Sequence, residues 1–167
     1  MFIEARDGTQ LYVRHVKPSD SDLIAKGWLQ LSQKSQQRRF LAPKPVLTKA
    51  DLRYLTEIDG HDHVALIALR LDDPTRLVAV ARYVRLADDP ETAEVAVTVA
   101  DPMQGMRIGT KLGVLLADEA RGRGVKRFSA SILSDNRPAL RLIAAMTDRL
   151  ESHIDHGVSD LVADLAA

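Results

Sequence analysis

The chain has 167 residues, 46% of them hydrophobic, with 23 Lys plus Arg balanced by 23 Asp plus Glu. Balanced charge gives no field to draw in nucleic acid, and 4% aromatic content leaves no base-stacking platform. No apolar run is long enough to span a membrane, and the absence of cysteine excludes disulfides, thiol nucleophiles and thiolate metal sites.

The length suits one domain, residues 1–167, large enough for a real core. Met1 leads straight into mixed polar residues, so no signal peptide is expected, and the lack of cysteine fits a cytoplasmic protein. Met1 to Arg6 reads as a short strand turned at Asp7-Gly8, and Thr9 to Val16 as a second strand ended by Pro18. Ser19 or Asp20 is a candidate cap for a helix carrying Leu23, Ile24, Trp28 and Leu31. The polar stretch from Ser32, with Arg38-Arg39-Phe40-Leu41 and then Pro43 and Pro45, reads as irregular. It is either an ordinary connection between helices or the rim of a ligand site. Thr48 caps the next helix, with Leu52, Leu55 and Ile58 on one face.

Val64 to Leu71 is nearly all apolar, as a central strand is. Leu77 to Leu86 and Thr92 to Val99 follow after short polar turns, which predicts an antiparallel meander. Ile108 to about Arg121 has helical spacing and ends at Gly122 and Gly124. Phe128 to Leu133 is a strand again. Asn136-Arg137-Pro138 then opens a helix carrying Leu140, Leu142, Ile143 and Met146. The tail from Leu150 to Leu165 suits two short strands around Gly157. The expected fold is a mixed α/β domain, antiparallel in its first half, with a strand-helix-strand crossover after it.

The stretch Val95 to Gly113 carries the chemistry. A strand with Val95, Val97 and Val99 in alternation breaks at Asp101-Pro102 and runs through Gly105 and Gly109 into a helix. A glycine-containing turn feeding a helix N-terminus is a phosphate cradle, because free N–H groups point outward and the helix dipole favours an anion. The spacing is wrong for a Walker loop, and no Gly-x-Gly-x-x-Gly fingerprint is present. A turn that merely caps a helix is the other reading.

Gln104-Gly105-Met106-Arg107-Ile108-Gly109 resembles the pyrophosphate loop of the GNAT superfamily of acyl-CoA-dependent N-acyltransferases, Gln/Arg-x-x-Gly-x-Gly/Ala. Arg107 stands where that pattern has its middle glycine. His63-Val64-Ala65-Leu66, Ala81-Arg82-Tyr83-Val84-Arg85, Ala93-Glu94-Val95-Ala96-Val97 and Leu133-Ser134-Asp135-Asn136 are similar to the Pat-type branch, bacterial acetyltransferases that modify protein lysines. The resemblance spans roughly residues 10–146. It implies a GNAT-like, mostly antiparallel sheet flanked by helices. It also implies that acetyl-CoA is held by Gln104, Gly105, Met106, Arg107, Ile108, Gly109 and Thr110, with Val97, Thr98 and Val99 along the preceding strand. Asn136 matches the asparagine that contacts the same arm, and Asn is equally suited to cap the helix it precedes. Glu94 matches the general base that takes a proton from the amine acceptor, a protein lysine or a small amine; a solvated carboxylate paired with an arginine is the alternative.

The general-acid tyrosine on the last helix has no counterpart, the matching position being Ile143, and Thr147-Asp148 replaces the Gly-Phe expected after it. A non-catalytic, acyl-CoA-binding or regulatory domain suits these departures and stays open beside the enzyme. His61-x-His63 and His153-x-x-His156 lack a third ligand, so no metal is expected. Arg121, Arg123, Lys126 and Arg127 form a basic cluster that suits either the adenosine 3′-phosphate or a solvated helix end. Neither nucleic acid nor membrane is an expected partner. The acceptor, the preferred acyl chain and the oligomer, a homodimer included, are not fixed by the sequence.

Overall fold

A computed structural model describes residues 1–165. Eight strands form one sheet: β1 (Phe2–Glu4), β2 (Gln10–His15), β3 (His63–Arg70), β4 (Leu77–Arg85), β5 (Thr92–Val99), β6 (Arg127–Leu133), β7 (Thr147–Asp155) and β8 (Val158–Leu165). Their spatial order is β1-β2-β3-β4-β5-β6-β8-β7. Every neighbouring pair is antiparallel except β5 and β6, which are parallel. A parallel pair needs a crossover, and helix α4 (Ile108–Gly122) supplies it. The other helices are α1 (Ser21–Leu29), α2 (Gln33–Phe40), α3 (Lys49–Thr56) and α5 (Arg137–Met146).

Strand β3 is buried on both faces, and its alternation builds two cores. Val64, Leu66 and Ala68 face a core with Leu112 and Leu116 of α4 and Ile143 and Met146 of α5. Ala65, Ile67 and Leu69 face a second core with Ile24 and Trp28 of α1 and Leu55 of α3.

The structure corrects the sequence reading at several points. The stretch after Ser32 is not irregular but is helix α2. Ser32 caps it by accepting from the Ser35 N–H at 3.1 Å, and Gln36 Nε2 donates to the Trp28 carbonyl at 3.0 Å. Asp20 does not cap α1 with its side chain. Its buried carboxylate instead takes Arg14 Nη1 and Nη2 at 2.8 and 2.7 Å and the Lys17 N–H at 2.7 Å, which closes the 3-10 turn before α1. The C-terminal strands are 9 and 8 residues long and begin at Thr147, directly after α5.

Candidate active site

Strands β5 and β6 pair only at Thr92–Arg127, Ala93–Phe128 and Glu94–Ser129, and then part. Pairing on the other side fixes which main-chain groups face the gap. The Leu86 N–H bonds the Thr92 carbonyl and the Ala100 N–H bonds the Val78 carbonyl. By antiparallel alternation, Glu94, Ala96 and Thr98 spend their backbone groups on β4, while Val97 and Val99 point theirs into the gap. The Val99 carbonyl is already engaged, accepting from Gln104 Nε2 at 3.0 Å.

The gap opens into a cleft of about 430 Å³ between β5, β6, α2, the loop before α4, and α5. The loop is shaped by two left-handed residues, Gly105 at φ +77 and Arg107 at φ +63. Arg107, which stands where the family pattern has its middle glycine, thus adopts the region a glycine would favour. Its side chain is exposed and lines the cleft. The Met106 carbonyl accepts from the Arg6 N–H at 3.0 Å, and the first intrahelical bond of α4 runs from Lys111 N–H to the Arg107 carbonyl. The N–H groups of Ile108, Gly109 and Thr110 therefore have no partner within the helix, and no side chain caps them. Gly109 permits close packing, since a Cβ there would lie 2.9 Å from Leu142 Cδ1 and 3.4 Å from Val99 Cγ2.

The expected cofactor residues Val97, Thr98, Val99, Gln104, Gly105, Arg107, Ile108, Gly109, Thr110 and Asn136 all line this cleft. Met106 does not; its side chain packs on the core. The Gln104 N–H turns back to the Asp101 carbonyl at 3.3 Å, so this residue presents its side chain rather than its backbone. That side chain also reaches Ser35 Oγ at 3.1 Å, and Ser35 Oγ meets the Asp101 carboxylate at 3.2 Å, which ties α2 to the loop. Asn136 does cap α5, its Oδ1 accepting from the Ala139 N–H at 3.3 Å.

Five arginines line the cleft and no carboxylate does: Arg6, Arg38, Arg39, Arg107 and Arg141. None of the five has an ion pair among the described residues, although many other basic side chains here do. They come from four separate segments, so no run of basic residues announced them in the sequence. The cluster that the sequence did announce is engaged elsewhere. Arg121 pairs with Asp118, Arg123 with Glu119 at 2.9 Å, Lys126 with Glu91 at 2.6 Å and Arg127 with Asp89 at 3.3 Å. It also lies at the far end of a 15-residue helix, about 22 Å from the loop.

Glu94 is exposed and sits at the last β5–β6 pair, at the lip of the gap rather than in the cleft lining. It shares a sheet face with Ala96 and, across the β4 pairing, with Arg82. Ile143 is buried in the cleft wall, so α5 offers no proton donor at that position. His63 lies on the same side of the sheet as Glu94's neighbours, its Nε2 3.0 Å from Arg82 Nη1. Burial, and then the Arg82 charge, lower its pKa to about 4. Among the described residues no three His, Asp or Glu side chains are grouped to hold a metal.

Comparison with known proteins agrees with this architecture. Residues 28–146 match the acetyltransferase (GNAT) family. The chain is 36% identical over 134 residues to acetyltransferase Pat of Mycolicibacterium smegmatis, covering 80% of this chain and 40% of that protein. It is 28% identical over 141 residues to acetyltransferase PA5475 of Pseudomonas aeruginosa, covering 84% of this chain and 75% of that one. Among solved structures, the GNAT domain of S. lividans PAT superposes with a TM-score of 0.89 at 30% identity, over 99% of this chain and 96% of that one. The chain thus spans less than half the length of the Mycolicibacterium relative and nearly all of the S. lividans domain. With the family model covering most of its sequence and the split sheet in place, the chain belongs to the GNAT acetyltransferase family.

Proposed function

We propose that residues 1–167 act as a single N-acyltransferase domain that binds acetyl-CoA and transfers its acetyl group to a primary amine. The observation that carries this is the carboxylate-free cleft, lined by five arginines that have no ion pair among the described residues, onto which the uncapped N-terminus of α4 opens. Coenzyme A is polyanionic, and such a cleft suits its phosphates. In this reading the N–H groups from Gly105 to Thr110 hold the pyrophosphate. The Val97 and Val99 backbone meets the pantetheine arm, and the Asn136 amide group assists.

The reaction needs a neutral amine, and a lysine ammonium has a pKa of about 10.4. Glu94, at the lip of the gap, takes one proton, directly or through one water. The amine nitrogen attacks the thioester carbon, and a strand N–H in the gap stabilises the oxyanion. The C–N bond forms, the C–S bond breaks, and the nitrogen sheds its second proton. Two protons leave the nitrogen: one ends on the thiolate, the other in solvent. Because Ile143 supplies no acid, water protonates the thiolate, whose pKa near about 8.5 makes it an adequate leaving group.

A protein lysine acceptor is supported by the similarity to Pat, and a cytoplasmic location fits a chain without disulfides or membrane-crossing helices among the described residues. A non-catalytic acyl-CoA-binding role is favoured by one feature, the apolar Ile143 in the cleft wall. Acetyl-CoA titration by calorimetry, followed by thiol release across protein and small-amine acceptors, tests both readings. Ligand at a hundred times its dissociation constant should add about 2.7 kcal/mol of stability. No heat and no thermal shift at millimolar acetyl-CoA would remove the reading. Binding without turnover on any amine would leave the regulatory one.

A further inference from the structure

On the face of the sheet covered by α1, α2 and α3 a second cavity, of about 60 Å³, abuts the cleft. Arg39, Ala96 and Thr98 line both. Its walls are apolar, from Trp28, Phe40, Leu47 and Leu55 among others, yet two guanidinium groups line it, Arg39 and Arg82. Arg82 is only 4% exposed. Its Nη1 is used by the Leu55 carbonyl at 3.1 Å and by His63 Nε2 at 3.0 Å; its Nε and Nη2 have no hydrogen bond among the described residues. Arg39 lies over the Phe40 ring at 4.5 Å and has neither ion pair nor hydrogen bond among the described residues. Neither has an ion pair among the described residues, and the Glu94 charge favours the charged form of Arg39 less than burial opposes it.

Two neighbouring cations against apolar walls repel each other, Arg82 buried and Arg39 half-buried, which is costly without a counter-ion. Burial lowers both pKa values, that of Arg82 to about 9, with Arg39 the second cause there. The missing partner is an anion small enough for the space, since a cavity needs about 10–15 Å³ to admit one water. A carboxylate matches the planar guanidinium fork. Because the cavity opens on β5 beside the gap, such a carboxylate would be covalently attached to a molecule reacting there.

We propose that Arg39 and Arg82 bind a carboxylate carried by one of the two substrates, on the amine acceptor or at the far end of a dicarboxylic acyl group. This rests on the N-acyltransferase reading. The test has two arms. In the first, acetyl-CoA is offered glycine, β-alanine and 4-aminobutyrate against their amides, and a lysine peptide with a flanking Glu against the same peptide with Gln. In the second, succinyl-CoA is compared with acetyl-CoA on the neutral amines. A tenfold or greater preference for the carboxylate in kcat/KM is expected in one arm, and that arm identifies the source. Arg82→Gln should bring the ratio close to one while the neutral pair turns over at a similar rate. The wild-type ratio needs no variant, so a misfolded Arg82→Gln leaves the test intact. If no amine is turned over, calorimetry on the protein with CoA, titrated with the N-acetylated acids against their amides, reads the same preference. Succinyl-CoA titrated against acetyl-CoA does so for the acyl group. Equal values in both arms overturn the carboxylate site, whereas failure to bind acetyl-CoA overturns the acyltransferase reading itself.

Discussion

His63 Nε2 lies 3.0 Å from Arg82 Nη1, and because a guanidinium can only donate, the imidazole accepts there and is neutral. Its folded pKa, about 4, is below the ordinary 6.5. The unfolded chain therefore takes up the proton first as pH falls. The stability tied to the neutral ring is complete above about pH 6.5 and drains between 6.5 and 4. One group gives at most about 1.4 kcal/mol per pH unit, and the partial exposure of His63 reduces that. His63→Gln should flatten the difference between denaturation midpoints at pH 7 and pH 5. An unchanged difference would assign the acid sensitivity elsewhere.

Glu94→Gln keeps the shape and removes the basicity. Turnover should fall by roughly 10²–10⁴-fold. Acetyl-CoA affinity should barely change, because Glu94 is outside the cleft lining. Wild-type turnover at neutral pH in this variant would exclude Glu94 as the base.

Arg107 at φ +63 holds a conformation that costs an L-residue about 1–2 kcal/mol. Arg107→Gly relieves that strain, and its looser unfolded chain offsets part of the gain. The variant should melt higher, and its acetyl-CoA affinity should stay within about tenfold, or ~1.4 kcal/mol, as one of five cleft cations is lost. A lower melting temperature would mean that the guanidinium contributes more to the loop than its backbone strain removes. Micromolar acetyl-CoA binding by Arg107→Gly alone, with none by the wild type, would show that Arg107 blocks the cleft.

Gly109→Ala tests the packing of the loop. Helix propensity favours Ala by about 1 kcal/mol. Against this, the new Cβ would meet Leu142 and Val99, and overpacking costs typically about 1–3 kcal/mol. Net destabilisation and weaker acetyl-CoA binding are expected, because Leu142 must shift in the cleft wall. Calorimetric melting checks the first, and a more stable variant would refute it.

Strand-turn-helix from Val95 to Gly113 was legible in the sequence because valine alternation and glycine spacing are local signals. Helix α2 was not, since its eight residues QKSQQRRF have no apolar stripe. It is held by the Ser32 cap, by Gln36 on Trp28 and by Ser35 on Asp101, contacts that exist only after folding. The left-handed Arg107 was hidden because the residue type argues against the conformation. The Arg39–Arg82 pair was hidden too: a strand arginine usually reads as solvated, and only the covering helices bury this one.

The parting of β5 from β6 makes an interior strand behave as an edge. Along β5, residues 96 and 98 have their amides in the β4 ladder, while those of 97 and 99 face the gap. In the free chain this gives alternate residues of one strand opposite access to solvent: amide deuterium should enter at Val97 and Val99 far sooner than at Ala96 and Thr98. On the proposed reading, a ligand whose own amides pair with that edge would act as a short missing strand.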